Sequence, residues 1–307
     1  MSIQSLTNIR KALSTLNPNQ VRQMSEKPVH VSLHTDSEDA YRRIESFLLR
    51  DLRPARRQES ASLITRGTGP SAGDAHYIDI YDESVPSPSG ALIFRPERPL
   101  YMVEKALVKY PDAGIALARS FYPFRKPYVH RVIAKTSRDN ALFSVTTALP
   151  DVIPNVIELP WAVAEFASDT AFITMNQVRM AFLIAAASDR AVGYMEQKSE
   201  IATVIGSAFG WRALARQVVG KIPFGGGLIG KAAVAYAGTK VLGLSLDHLY
   251  SIGFTYTREE RDRLYADAFR QGKKVAQRIL SFLRPDLAAK FAEQQAKNDN
   301  TIEITPS

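Results

Sequence analysis

The stretch Leu228–Ile252, LIGKAAVAYAGTKVLGLSLDHLYSI, decides how this chain is read. Two lysines and one aspartate interrupt a run that is otherwise mostly alanine, glycine, leucine and valine. Small side chains let helix backbones approach closely, in water or in lipid. The stretch therefore predicts a packed helix, with Lys231 and Lys240 arguing against a simple membrane span. A lysine at mid-bilayer costs about 2.5–3.5 kcal/mol on insertion scales.

The same composition continues outward. Trp161–Ser188 and Glu196–Ile222 are also rich in small apolar residues and poor in charge, and Pro150, Pro154 and Pro160 punctuate the start of this bundle. Thr257–Leu283 reads as a charged amphipathic helix, followed by a polar tail after Gln294. A membrane-spanning helix needs about 20 predominantly apolar residues. The longest runs free of Asp, Glu, Lys and Arg are only 11 residues, as in Ile201–Trp211, and Arg179 interrupts Thr170–Ser188.

Towards the N-terminus the pattern changes. Short strands are predicted at Val29–Leu33, Ser62–Thr65, Tyr77–Tyr81 and Ala91–Phe94, separated by turns such as Gly67-Thr68-Gly69-Pro70 and Pro86-Ser87-Pro88. Asp36-Ser37-Glu38-Asp39 starts a helix that runs to about Leu52, and Arg53-Pro54-Ala55-Arg56-Arg57 reads as a basic loop ending it. From Pro96 the periodicity is helical, with Leu100, Val103, Leu107 and Val108 on one face before Pro111, and a second helix leading to Tyr122-Pro123. Ahead of all this, Ile3, Leu6, Ile9, Leu13 and Leu16 recur at helical spacing until Asn17-Pro18. Such a basic amphipathic segment can lie on a membrane or dock on the protein's own core. It has no continuous apolar stretch of the secretory type.

The expected class is α+β: a small N-terminal α/β unit, then a mainly helical bundle rich in Ala and Gly. The expected division is an amphipathic segment 1–26, an α/β domain with trailing helices 27–126, a helical domain 127–294 and a polar tail 295–307. Hydrophobic residues at 45% and charged residues at 23% suit a globular chain and not a disordered one. With no cysteine, disulfides, thiolate metal sites and cysteine nucleophiles are excluded. A net charge of +8 favours anionic neighbours.

One phosphate-binding motif is present in outline. Gly225-Gly226-Gly227-Leu228-Ile229-Gly230-Lys231 satisfies G-x-x-x-x-G-K, so Gly225, Gly230 and Lys231 could cradle phosphates. Ala232 stands where the magnesium-binding hydroxyl belongs, and the preceding residues read as helix and not strand, so a glycine-rich break between helices is the plainer reading. His30 and His34 lie at a strand end where their spacing does not converge on a metal, and Asp79 and Asp82 read as turn-forming acids. No metal, cofactor or catalytic set is expected.

Within the bundle, Glu165, Asp169, Asn176 and Arg179 sit among apolar residues, with Arg212 and Arg216 available as counter-charges. They are expected to form a structural polar network, or else to line a ligand or ion site. Two basic clusters, Arg42, Arg43, Arg50, Arg53, Arg56 and Arg57, and Lys273, Lys274, Arg278 and Arg284, are poor in interleaved aromatic residues. That speaks against nucleic acid and for solvated faces or acidic headgroups.

The segments Met175-Asn176-Gln177-Val178-Arg179-Met180, Ala208-Phe209-Gly210-Trp211-Arg212-Ala213-Leu214-Ala215-Arg216, Val219-Gly220-Lys221-Ile222-Pro223-Phe224-Gly225-Gly226-Gly227 and Lys231-Ala232-Ala233-Val234-Ala235-Tyr236-Ala237-Gly238-Thr239 resemble the bacterial YcjF-like family. The resemblance covers roughly residues 150–253. It implies a bacterial protein at the cytoplasmic face of the inner membrane, a helical domain, and a connection to a GTPase partner. It carries no catalytic residue to transfer, and no Asn-Lys-x-Asp motif occurs in the chain. The expectation is a non-enzymatic, membrane-associated or partner-docking protein that can also self-associate. The alternatives are a soluble cytoplasmic adaptor with a self-packed bundle, and a nucleotide binder using 225–231.

Overall fold

The computed structural model describes residues 3–67, 77–149, 169–206 and 226–289. The architecture is α+β, and the chain divides into two compact units. One comprises 17–132 and 182–197; the other comprises 1–16, 133–181 and 198–307. These units do not follow the contiguous division drawn from sequence. Two of the four boundaries fall inside helices, α7 (Tyr122–Thr146) and α8 (Asp169–Ala187), which no change in composition marks.

The α/β unit is built on a four-stranded, all-parallel sheet of order β2-β1-β3-β4. Its strands are β1 (His30–His34), β2 (Ile64–Arg66), β3 (Tyr77–Asp82) and β4 (Leu92–Phe94). Val31 and Leu33 on one face of β1 and Ser32 and His34 on the other are buried, as are Ile78, Ile80 and the opposed Tyr81 of β3, as strands covered on both faces must be. Gly67 prolongs the β1–β2 ladder by donating to the Leu33 carbonyl at 2.8 Å. A Cβ there would meet the His34 ring at 2.4–2.7 Å, so only glycine fits.

Helix α3 (Glu38–Leu48) is capped by the Ser37 hydroxyl and buries Ala40, Ile44 and Leu48. Two prolines that read as helix stops are helix starts. Asn17 caps α2 (Pro18–Glu26), and the supposed basic loop is α4 (Pro54–Ala61). Proline is well placed at the first helical position, where its missing N–H would have had no partner. Further on come α5 (Pro99–Lys109), a 3₁₀ turn at Pro111–Ala113 and α6 (Gly114–Ser120). Helix α7 carries Pro127 in its interior, where one i→i−4 bond is forfeited.

The helical unit contains α1 (Ile3–Ser14), the greater parts of α7 and α8, helical residues 198–206 (α9), α10 (Gly226–Ile252) and α11 (Arg258–Leu283). Helix α1 buries Ile9 and Ala12 against Phe143, Ala171, Phe172 and Met175, where the Phe143 and Phe172 rings stack at 3.8 Å. The amphipathic segment thus docks on the protein's own core.

Helices α10 and α11 approach closely because small residues face each other. A Cβ at Gly272 would lie 2.9 Å from the Ala233 carbonyl oxygen, and one at Gly243 would lie 2.6 Å from the Ile133 side chain. Ala141 and Val145 of α7, Ala232 and Tyr236 of α10, and Ala276 and Leu280 of α11 form one buried cluster. Thr257 begins α11 with a reciprocal capping box to Glu260.

Candidate functional site

Polar residues gather in two places, one in each unit. In the helical unit, the Asn176 amide donates to Asn140 Oδ1 at 2.8 Å, and Asn140 donates to Thr239 Oγ1 at 2.9 Å. Gln177 donates to the same hydroxyl at 3.1 Å, and Thr239 passes its own proton to the Ala235 carbonyl at 2.8 Å. All four side chains are buried. They join α7, α8 and α10 through neutral groups. Thr239 is the hub, accepting twice and donating once, which is close to the capacity of a hydroxyl.

Of the six residues expected in a network here, Asn176 takes part. Arg179 is half-buried. Glu165, Arg212 and Arg216, and the side chain of Asp169, lie outside the described residues. Among the described residues, the groups that join α7, α8 and α10 here are amides and a hydroxyl. Neutral groups carry a smaller desolvation penalty than ions. Asn140 and Thr239 escaped sequence reading, although an Asn and a Thr inside charge-poor helices are the signal that would have found them.

In the α/β unit, guanidinium groups converge on Asp189. Helix α8 ends in a Schellman turn, with Asp189 N–H donating to the Ala186 carbonyl at 3.1 Å and Arg190 N–H to the Ala185 carbonyl at 3.0 Å. Asp189 takes the left-handed conformation, φ 54°, where glycine is usual. Its carboxylate accepts from Arg56 at 3.0 and 2.5 Å and from Arg119 Nε at 3.2 Å. Arg119 also reaches Ser25 and Glu26, Arg56 pairs with Glu59, and Arg22 donates to the Val192 carbonyl. Burial works to lower the Arg56 pKa, but the Asp189 hydrogen bond and the charges of Asp189 and Glu59 raise it overall.

Arg125 belongs to the same neighbourhood. Its guanidinium lies over the Tyr122 ring, 5.1 Å from the centroid, and its Nε is sealed from solvent without a hydrogen-bond partner. Burial lowers its pKa against the pull of Asp189, and Arg53 and Arg56 lower it further. Arg53 and Arg56 were legible as part of a basic cluster; Asp189, Arg119 and Arg125, far apart in sequence, were not.

The sheet has a third polar feature. His34 Nε2 and Asp79 Oδ1 are 2.8 Å apart, and the His34 ring stacks on Tyr81 at 4.2 Å. Asp79 is therefore a mid-strand partner of histidine and not a turn former. Asp82 does serve a turn, accepting from the Ser84 N–H and hydroxyl. His30 stacks on Tyr77. Among the described residues no set of three His, Asp or Glu side chains converges to hold a metal.

The phosphate-loop residues are placed differently from the motif. Gly230 and Lys231 lie in helix α10, which begins at Gly226, while Gly225 is outside the described residues. The glycine-rich break likewise does not extend over Gly226 and Gly227. A phosphate cradle needs successive N–H groups turned onto one point by a loop, and a regular helix directs them along its axis.

No protein family, curated protein or solved structure matches this chain.

Proposed function

We propose that this chain is a non-enzymatic docking protein that associates peripherally with an anionic surface, the inner face of a bacterial membrane being the leading candidate. One observation carries the reading. The described helix long and apolar enough to cross a membrane, Thr170–Ala187, has 83% of that window buried within the protein. Its Asn176 and Gln177 are committed to Asn140 and Thr239. A helix engaged in this way serves as core, so its apolar surface is not offered to lipid.

Positive charge is then the feature this reading assigns to a partner. The excess of +8 supports attraction to anionic headgroups, worth about 1 kcal/mol per basic residue near such a surface. The resemblance to YcjF-like proteins supports the same compartment and a GTPase in the vicinity. Salt extraction of native membranes tests the proposal: the protein should be released by high salt alone. Retention until detergent is added would refute it, and so would a wholly soluble pool at low salt.

A further inference from the structure

We propose that the outer face of helix α11, along the stripe Arg270, Lys274, Arg278 and Phe282, is the surface that docks on an anionic lipid bilayer. This rests on the docking reading above and names the face that meets the membrane, but the two can fail separately.

The sequence sets the stripe up. From Ala268 to Leu283 it holds four basic residues, Arg270, Lys273, Lys274 and Arg278, and no acidic one. Helix α11 turns Tyr265, Phe269, Ala276 and Leu280 inward. At about 3.6 residues per turn, Arg270, Lys274 and Arg278 fall together on the opposite side, and all three are exposed. Phe282 follows one turn after Arg278 and is 83% exposed. The helix dipole does not account for this placing. Its pull on cations is confined to the last turn, and the last turn of α11 has no basic residue.

The charges of this cluster are uncommitted, unlike those of the other basic cluster. Arg42 is bound to Glu38, Arg56 to Asp189 and Glu59, and Arg57 to the Leu49 carbonyl. On α11, Arg270 pairs with Asp267, and Lys273 lies over the Phe269 ring, 5.2 Å from its centroid. Lys274 and Arg278 have no ion pair or hydrogen bond among the described residues.

Clustered basic residues on an amphipathic helix are drawn to anionic headgroups, and their aliphatic stems lie along the interface. Phe282, at the end of the stripe, offers a ring suited to the boundary between headgroups and acyl chains. One ring is too little apolar surface to hold the protein once salt screens the charges, so docking on this face is reversible. Single-stranded nucleic acid would call for exposed rings interleaved among the cations, whereas here the exposed ring stands at one end.

The test sediments the purified full-length chain at low salt with phosphatidylcholine vesicles, with and without phosphatidylglycerol. Wild type is compared with Lys274→Gln/Arg278→Gln and with Phe282→Ala. The control, Arg43→Gln/Arg50→Gln, removes as much charge from exposed positions of the α/β unit. Because every substituted side chain is exposed, all four proteins should unfold at closely similar temperatures. The chain has no cysteine, so Ser281→Cys carries a single environment-sensitive dye on the same face of α11.

Wild type is expected to bind the phosphatidylglycerol vesicles and not those of phosphatidylcholine alone. Lys274→Gln/Arg278→Gln should weaken binding at least tenfold, from roughly fivefold per basic residue near an anionic surface. The control should weaken it less than about threefold, since charges away from the contact are screened. Phe282→Ala should also weaken it, and the dye at position 281 should shift to the blue on vesicle binding. Equal weakening in the two double variants, or a dye that does not respond while the protein is bound, would overturn this face and leave peripheral docking standing. Wild type that ignores phosphatidylglycerol vesicles would overturn both. Duplex DNA bound by wild type and lost in Lys274→Gln/Arg278→Gln, without vesicle binding, would also overturn it and make this a nucleic-acid face.

Discussion

At Asp189 a residue's backbone conformation and its side-chain chemistry make opposing demands. The C′ position of α8 favours glycine, yet a carboxylate is needed there to neutralise Arg56 and Arg119. Asp189→Ala should lose about 2 kcal/mol in urea unfolding, a modest figure because both ion pairs keep some exposure. Asp189→Gly removes the same carboxylate but relieves the left-handed backbone, so it should be less damaging than alanine by about 1 kcal/mol. Equal stability of all three proteins would show that the carboxylate does not hold the cluster. Tyr265 gives a prediction in pH. Burial pushes its phenol up to about 12, whereas an unfolded tyrosine titrates near 10. The folded state thus holds the proton more tightly. Its stabilisation is complete below pH 10, falls as pH rises through 12, and is on the order of 2 kcal/mol. Tyr265→Phe should flatten the alkaline limb of the stability profile, and an unchanged limb would remove Tyr265 as its cause.

Among the elements, legibility followed the locality of the signal. The four strands and the long helices were readable because alternation, helical spacing and caps such as Ser37 and Thr257 are encoded within a few residues. Pro18 and Pro54 misled because proline marks both the end of one helix and the first turn of the next. The polar site in the helical unit was half legible. Asn176 stood out among apolar neighbours, while its partners Asn140 and Thr239 lie 36 and 63 positions away and no local pattern links them. The Asp189 cluster was less legible still, since it joins residues from α4, α6 and the end of α8. The helix-joining role of the network is testable. Thr239→Val keeps the shape but leaves Asn140 and Gln177 donors without an acceptor, and should cost about 1–3 kcal/mol. Adding Asn140→Leu, Asn176→Leu and Gln177→Leu should recover part of the loss, because an apolar core without orphaned groups is tolerated. Additive losses across the four changes, measured by chemical denaturation, would contradict the hub assignment.

For the molecule as a whole, most of the apolar content of the helical unit goes into packing, while Ile252, Phe254 and Phe282 stay exposed. Helix α1 is engaged by Phe143, Phe172 and Met175, α8 is largely buried, and α10 is closed over by α11 through Gly272. The peripheral attachment proposed above draws on positive charge and is screened by salt, since interactions of exposed charges fade within about 3 Å at 1 M ionic strength. Fractionation of native cells tests this most directly. The protein is expected to sediment with membranes at low salt and to move entirely to the soluble fraction in 1 M salt without detergent. Protein that stays with membranes through the salt wash and leaves only in detergent would contradict it, as would protein found wholly soluble at low salt.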